Sequence, residues 1–514
     1  MYKLGALDAG FLYNETDKCP QHIASVQVLE LPDGVSEETF VERLKALLMS
    51  RIHLVPYFTN RLQMVPFELD HPVWVRDLDF DINNHVHTVA LAAPGDRAAF
   101  EQKIAELHEE LLDRSRPLWG IWVLTGLEGG RVAYYNKAHH ACLDGMAGQA
   151  MLQTIMDTDP EPREVEPAPQ GFLQQRDQQS GAALLAGAVE NFARYQSKQP
   201  LAIMNAVETI ARLVQRTFDP RKGLGAALEG APKIRFNGAV EAKRSYSTGE
   251  LSVAQMKSIA NVSHTKLNDV FLAVVAGGLR RYLARGNDLP DRSLVAGCPV
   301  SVRKPGDEST GNQVTMMLVS LATQETDPVC ALQTIARSSL AAKGLTADLS
   351  HSYDADVALP GMPGVLRAGL RVADRTALAN LPAAGVPCNV VVSNVPGPQI
   401  QLYSCGAKVL THYPVSIPAH GQALNITVQS YVGQMFFGVT ACAKALPDAD
   451  RLRDDMLAAY AELAEAHGVE TDIAAPRGAA DVQKPEDVAL QQIDLQTHDS
   501  DRPSDSSPAR DRAA

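Results

Sequence analysis

The sequence predicts a mixed α/β (α+β) protein built in two comparable halves. Short β-type runs alternate with amphipathic helical stretches from about residue 22, and the same mixture begins again near Lys233. Between them, residues 159–182 shift to Pro, Glu, Gln and Asp, a linker composition, and residues 183–217 turn helical. At 514 residues the chain is long enough for two or three domains, each able to bury a core.

In chain order, residues 22–30 alternate apolar and polar and read as a strand. Ser36 is placed to cap the helix that follows, with Glu37 and Glu38 favourable in its first turn and Phe40, Val41, Leu44, Leu47 and Leu48 on its buried face. A second amphipathic helix begins near Asp96, with Phe100, Ile104, Leu107 and Leu111 on one side. The strand at 121–124 returns through Glu128-Gly129-Gly130 into a strand beginning at Arg131, and Trp119 reads as core. In the second half a helix headed by Asn268 or Asp269, either of which suits a cap, runs through Phe271, Val274, Leu279 and Leu283. Strands are predicted at 293–300, 313–322, 388–395, 424–432 and 435–442, with helices near 328–343 and 448–465. Gly397, between two prolines, reads as a structural turn. Beyond about 472 the chain is rich in Asp, Ser, Pro and Arg and reads as disordered.

Composition narrows the functional classes. With 45% hydrophobic and 21% charged residues the chain matches soluble globular proteins. A formal charge of −13 argues against nonspecific nucleic-acid binding and against broad attraction to anionic membranes. The seven cysteines are scattered without a CxxC, which predicts reduced buried thiols in a cytoplasmic protein. No N-terminal signal peptide is visible, and the longest apolar stretch, around 270–279, is too short to span a bilayer.

The chemistry concentrates in the heptad His139-His140-Ala141-Cys142-Leu143-Asp144-Gly145, where a strand ends and a helical pattern of Met146, Met151, Leu152 and Ile155 begins. Imidazole titrates near neutrality, so one of the two histidines there suits a general base taking a proton from an alcohol. Asp144 would fix an imidazole tautomer or hold the loop through an ion pair, and Gly145 permits a backbone conformation that a side chain would block. The same residues also fit a solvated loop. A zinc site is the third reading, since His139, His140, Cys142 and Asp144 include ligand types. Against zinc, adjacent side chains diverge and no second Cys/His pair stands at ligand spacing.

The heptad resembles the HHxxxDG signature of the CoA-dependent acyltransferase superfamily, shared with condensation domains. Its surroundings resemble the bacterial wax ester synthase/diacylglycerol acyltransferase family more closely. The likeness is carried by Leu7-Asp8-Ala9-Gly10-Phe11-Leu12, Arg61-Leu62, His71-Pro72-Val73-Trp74-Val75, Asp79-Phe80-Asp81 and His85-Val86. It continues through Arg114-Ser115-Arg116-Pro117-Leu118-Trp119 (the PLW motif) and Leu267-Asn268-Asp269-Val270 (the ND motif). Pro299-Val300-Ser301-Val302-Arg303, Gly311-Asn312 and Ser393-Asn394-Val395-Pro396-Gly397-Pro398 complete it, in consistent order from about residue 4 to 465.

That resemblance implies a two-lobed, chloramphenicol acetyltransferase-like fold with the active site between the lobes. The lobes would be residues 1–158 and 233–470, joined by a linker and helical connector at 159–232 and followed by a disordered tail at 471–514. It implies acyl transfer from acyl-CoA, as cosubstrate and with no cofactor or metal, to diacylglycerol or a long-chain fatty alcohol. His140 takes the base role and His139 an orienting one. Asp144 becomes the structural partner of an arginine, Arg61 or Arg303. Asn268 and the backbone N–H groups after Asp144 are candidate oxyanion donors. A cytoplasmic protein acting on such lipids without a span must dock peripherally on a membrane or lipid inclusion. Two alternatives stand beside this: a condensation-type acyltransferase using carrier-bound acyl groups, and a non-catalytic lipid-body protein. Length without a carrier domain and the PLW and ND blocks speak against the first, and the intact heptad against the second.

Overall fold

A computed structural model describes residues 2–142, 151–152, 154–194, 196–197, 230–301, 314–350, 367 and 386–471. The chain opens with β1 (Tyr2–Lys3) and α1 (Ala6–Asn14), followed by β2 (His22–Glu30) and α2 (Glu37–Arg51). A small antiparallel ribbon forms where β3 (Asn60–Gln63) and β4 (Val73–Arg76) pair and β1 joins β4. Then come β5 (Val86–Ala90), α3 (Arg97–Glu109), β6 (Trp119–Leu127) and β7 (Arg131–His139).

The capping signals act as the sequence predicts. Ser36 Oγ accepts the Thr39 N–H at 3.2 Å and Asp96 Oδ1 accepts the Ala99 N–H at 2.9 Å, which satisfies donors left open at each helix start. Strand alternation then decides which side each helix covers. α2 packs on Ile121, Val123, Val132 and Tyr134, whereas α3 packs on Leu124, Ala133 and Tyr135, the alternate residues of the same strands. The two helices therefore cover opposite faces of one sheet. Trp119 is core, 2% exposed, with its indole N–H donated to Phe58 O at 3.0 Å.

The second half follows with β8 (Arg244–Ser252), α4 (Val253–Val262), α5 (Leu267–Arg285), β9 (Val295–Ser301), β10 (Val314–Ser320), α6 (Pro328–Ser350) and β11 (Val390–Val395). It ends with β12 (Tyr403–Ser404), β13 (Ala407–Val409), β14 (Tyr413–Val415), β15 (Leu424–Tyr431), β16 (Gln434–Cys442) and α7 (Ala449–Ala466). Six strands form one sheet in the order β10-β9-β11-β15-β16-β8, with α5 and α7 packed together in its core. Gly278 makes that packing close, because a Cβ there would fall 2.4 Å from Met456 Cγ. Asp269 closes the start of α5 by accepting the Lys266 N–H at 3.1 Å, so the cap belongs to Asp269 and not to Asn268.

The two halves interlock. Strands β12, β13 and β14 leave the second half and join the first sheet, whose path is β12-β13-β2-β7-β6-β5 with β14 also on β2. Gly438 permits the crossing: a Cβ there would lie 2.0 Å from Pro414 O. Buried Glu101 of α3 accepts the Thr248 N–H and Thr248 hydroxyl at 2.7 Å and the Ser247 hydroxyl at 3.0 Å, clasping α3 to β8. Nearby, His108 Nε2 stands 2.9 Å from Ser416 O, and the Arg244 N–H donates to Glu109.

Most of the predicted strands and helices fall within two residues of the observed ones. The predicted connector is helical over 181–194, and its remainder to 217 lies largely outside the described residues, as does the tail beyond 471. All seven cysteines are free; Cys330, at the exposed start of α6, departs from the expectation of buried thiols. Gly397 has a packing reason, since a Cβ there would fall 2.1 Å from Ser430 O.

Candidate active site

β7 carries the double histidine to the edge where the halves meet. His139 is its last residue and pairs with His22 across β2. The His140 N–H donates to Gln21 O at 2.9 Å, which fixes the backbone just past the strand. Two residues before Gln21, Cys19 packs with Val240, Ala423 and Cys442 of the second half. After His140 the chain turns at once, with the Cys142 N–H donated to His139 O at 2.9 Å.

The two imidazoles occupy different surroundings. His140 keeps part of its surface exposed and stacks on Phe11 of α1, with ring centroids 3.9 Å apart and planes 8° from parallel. Burial pushes its pKa down to about 4, against a backbone hydrogen bond that favours the charged form; the neighbouring His139 adds to the lowering. His140 is thus neutral at neutral pH.

His139 is wholly buried. Its Nδ1 accepts the Ala141 N–H at 3.0 Å, so in the neutral ring the proton sits on Nε2. That Nε2 lies 3.1 Å from Glu15 Oε2, off the axis of an aligned hydrogen bond. His22 Nε2 lies 3.0 Å from the same oxygen. The other oxygen, Oε1, accepts two N–H groups of Arg114 at 2.9 and 2.7 Å. Burial alone would raise the Glu15 carboxyl, but hydrogen bonding and charge from His139 and His22 outweigh it and hold the group well below the usual carboxylate range. Beside this cluster, the Lys137 ammonium donates to Leu107 O at 2.7 Å and Glu110 O at 2.8 Å, tying the end of α3 to β7.

Glu15, Arg114 and His22 carry no role in the sequence reading. A lone glutamate reads as surface, and two of its three partners stand 99 and 124 positions away, where no spacing rule reaches. Of the residues in the zinc reading, His139 and His140 face different partners, and Asp144 lies outside the described residues. Among the described residues one group has ligand types at ligand spacing: Glu15, His22 and His139, within 4.8 Å of one another. A metal at His139 Nε2 would leave the ring proton on Nδ1, pointed at the Ala141 N–H, so this arrangement fits hydrogen bonding better than metal.

Asp144 and Gly145 lie outside the described residues, as do Arg303, Gly311 and Asn312. Arg61 pairs with Asp77, at 3.6 Å. Asn268 sits in the first turn of α5, and its Oδ1 accepts from Asn394 Nδ2 at 3.2 Å, which joins the ND block to the Ser393–Pro398 block. Among the described residues no helix is long and apolar enough to cross a membrane.

Comparison with known proteins gives the family. Residues 4–271 match the model of the wax ester synthase/diacylglycerol acyltransferase catalytic domain, and residues 310–464 match the C-terminal domain of the same family. A putative diacylglycerol O-acyltransferase of Mycobacterium tuberculosis strain H37Rv is 34% identical over 493 residues, covering 91% of this chain and 98% of the relative. A solved wax ester synthase/diacylglycerol acyltransferase from Marinobacter aquaeolei VT8 superposes with a TM-score of 0.64 at 27% identity, covering 91% of this chain and all of that one. The starter condensation domain of rhizomide synthetase, at 16% identity and a TM-score of 0.50 over 89% of this chain and 94% of its own, shares the two-lobed fold alone.

Proposed function

Because this chain belongs to the wax ester synthase/diacylglycerol acyltransferase family, we propose that His140 is the general base that moves an acyl group from acyl-CoA to the hydroxyl of diacylglycerol or a fatty alcohol. One observation carries the assignment. Of the two adjacent histidines, His140 alone is partly exposed as a residue, while His139 is sealed among Glu15, His22 and Ala141.

In this reading the neutral His140 ring takes the hydroxyl proton as the acceptor oxygen bonds to the thioester carbonyl carbon. The tetrahedral intermediate collapses, the C–S bond breaks, and the imidazolium returns the proton to the departing thiolate. Ester and free CoA leave. Alignment of the two substrates makes a covalent enzyme intermediate unnecessary. Asn268, oriented by Asn394, is a candidate donor to the oxyanion. Asp144 and Gly145 are read as shaping the turn that follows. The catalytic lobe is taken as residues 1–158 and its partner as 233–470, joined by 159–232. Lipid acceptors make peripheral docking on a membrane or lipid-inclusion surface part of the same reading, with acyl-CoA as cosubstrate and no cofactor.

The test is His140→Ala, assayed by CoA release from a long-chain acyl-CoA with diacylglycerol or hexadecanol. A folded variant slowed by roughly 10²–10⁴-fold is the expected result, the usual worth of a general base. Equal turnover in both proteins ends the assignment.

A further inference from the structure

We propose that Glu15 is the positioning residue of the double-histidine turn: its carboxylate keeps the proton of His139 on Nε2, and that tautomer shapes the turn that presents His140. The inference rests on His140 as the base, and one of its readouts, the tautomer of His139, does not depend on turnover.

The residues connect in a short chain. Glu15 follows α1, and its side chain is 3% exposed. Arg114 fixes it, donating Nε–H and Nη2–H to Oε1 and a further Nη2–H to Leu12 O at 2.8 Å, which anchors the end of the helix that carries Phe11. The other carboxylate oxygen, Oε2, faces the two buried Nε2 atoms of His22 and His139. An ionised carboxylate is purely an acceptor, so it favours a proton on His139 Nε2. With the proton there, Nδ1 presents a lone pair to the Ala141 N–H. That hydrogen bond, with Cys142 N–H to His139 O, closes the turn directly after His140. A second route reaches the same place: the Gln21 N–H donates to Glu15 Oε2 at 3.3 Å, and Gln21 O accepts the His140 N–H. Glu15 thus stands behind both the backbone and the turn of the base.

Glu15→Gln separates positioning from bulk packing, because it changes the proton pattern and hardly the shape. Arg114 draws the amide oxygen to the Oε1 position, so the NH2 group falls where Oε2 was. It then donates toward His139 Nε2 and drives the ring proton to Nδ1, against the Ala141 N–H. We expect kcat to fall by roughly 100-fold, the scale of a misplaced catalytic group, with KM for acyl-CoA changed less than about threefold. Imidazole 15N signals of His139 should move from the Nε2–H pattern to the Nδ1–H pattern. In a His139→Asn background, where the amide oxygen supplies the acceptor that Ala141 needs, Glu15→Gln should cost much less.

Wild-type rate in Glu15→Gln overturns the proposal. So does a lost rate with His139 still protonated on Nε2, or an equal cost in both backgrounds. Should Glu15→Gln not fold, the wild-type spectrum decides: Nδ1–H at His139 refutes the scheme. An active His140→Ala would instead remove the base assignment and leave the His139 tautomer untouched.

Discussion

The stacking of Phe11 on His140 predicts where the reaction loses rate in acid. An ordinary imidazole is half protonated near 6.5, while burial lowers this one to about 4. A base works only when neutral, so turnover should persist well below 6.5 and fall as pH drops through about 4. At about pH 5.5 an ordinary histidine would be about one-tenth neutral, whereas His140 would be almost wholly neutral. The difference is about tenfold in rate, and the full gap corresponds to about 3 kcal/mol of disfavoured charge. Phe11→Ala removes the ring stacked at 3.9 Å and lets water reach the imidazole. Its acid limb should move up toward 6.5 while the plateau rate changes less. The assay is initial CoA release against pH, after brief exposure, with return to neutral pH to confirm that enzyme was not lost. A wild-type limb at 6.5, unmoved in Phe11→Ala, refutes the link between this packing and the basicity of His140.

Two further predictions concern buried ionisable groups elsewhere in the fold. His412 is 2% exposed and burial lowers its pKa to about 4, so the unfolded chain takes up a proton between about 6.5 and 4 that the folded chain refuses. Stability is full above 6.5 and is lost as pH falls toward 4, by about 2 kcal/mol at about pH 5. His412→Phe should show a smaller fall in urea midpoint between neutral pH and pH 5, and an equal fall in both proteins contradicts this. Arg51, 1% exposed, makes a two-pronged pair with Asp157 at 3.0 and 3.1 Å, and Arg163 joins Asp157 at 2.8 Å. Asp157→Asn strands a buried cation and should cost about 3–5 kcal/mol, while Arg51→Met leaves Asp157 its second partner and should cost less. Urea midpoints in the reverse order would count against that accounting.

Local chemistry made much of this molecule legible. Ser36 and Asp96 cap where their residue types say, and the alternation at Val132, Ala133, Tyr134 and Tyr135 assigns each helix its face. The double histidine stood out because two titratable groups end a β run, and the family motifs separated one role from the other. What stayed hidden was long-range. Glu15, Arg114 and His22 meet only after folding, and nothing in their immediate neighbours distinguishes a buried carboxylate from a solvated one. Asn268 and Asp269 show the limit in the other direction: either suits a helix start, and only the hydrogen bond to Lys266 N–H assigns the cap. Likewise β12 to β14 are too short to stand out from turns, since what makes them strands is the edge of β2.

That borrowed edge has an outcome during synthesis. Until residue 415 has left the ribosome, β2 has no neighbour on its outer side, although the strand bearing His139 was completed long before. For most of translation the nascent catalytic half carries a bare hydrogen-bonding row, open to mispairing. Cutting the gene at the connector and producing the first half alone would make that interim state permanent, which ties the maturation of the base to β13 and β14.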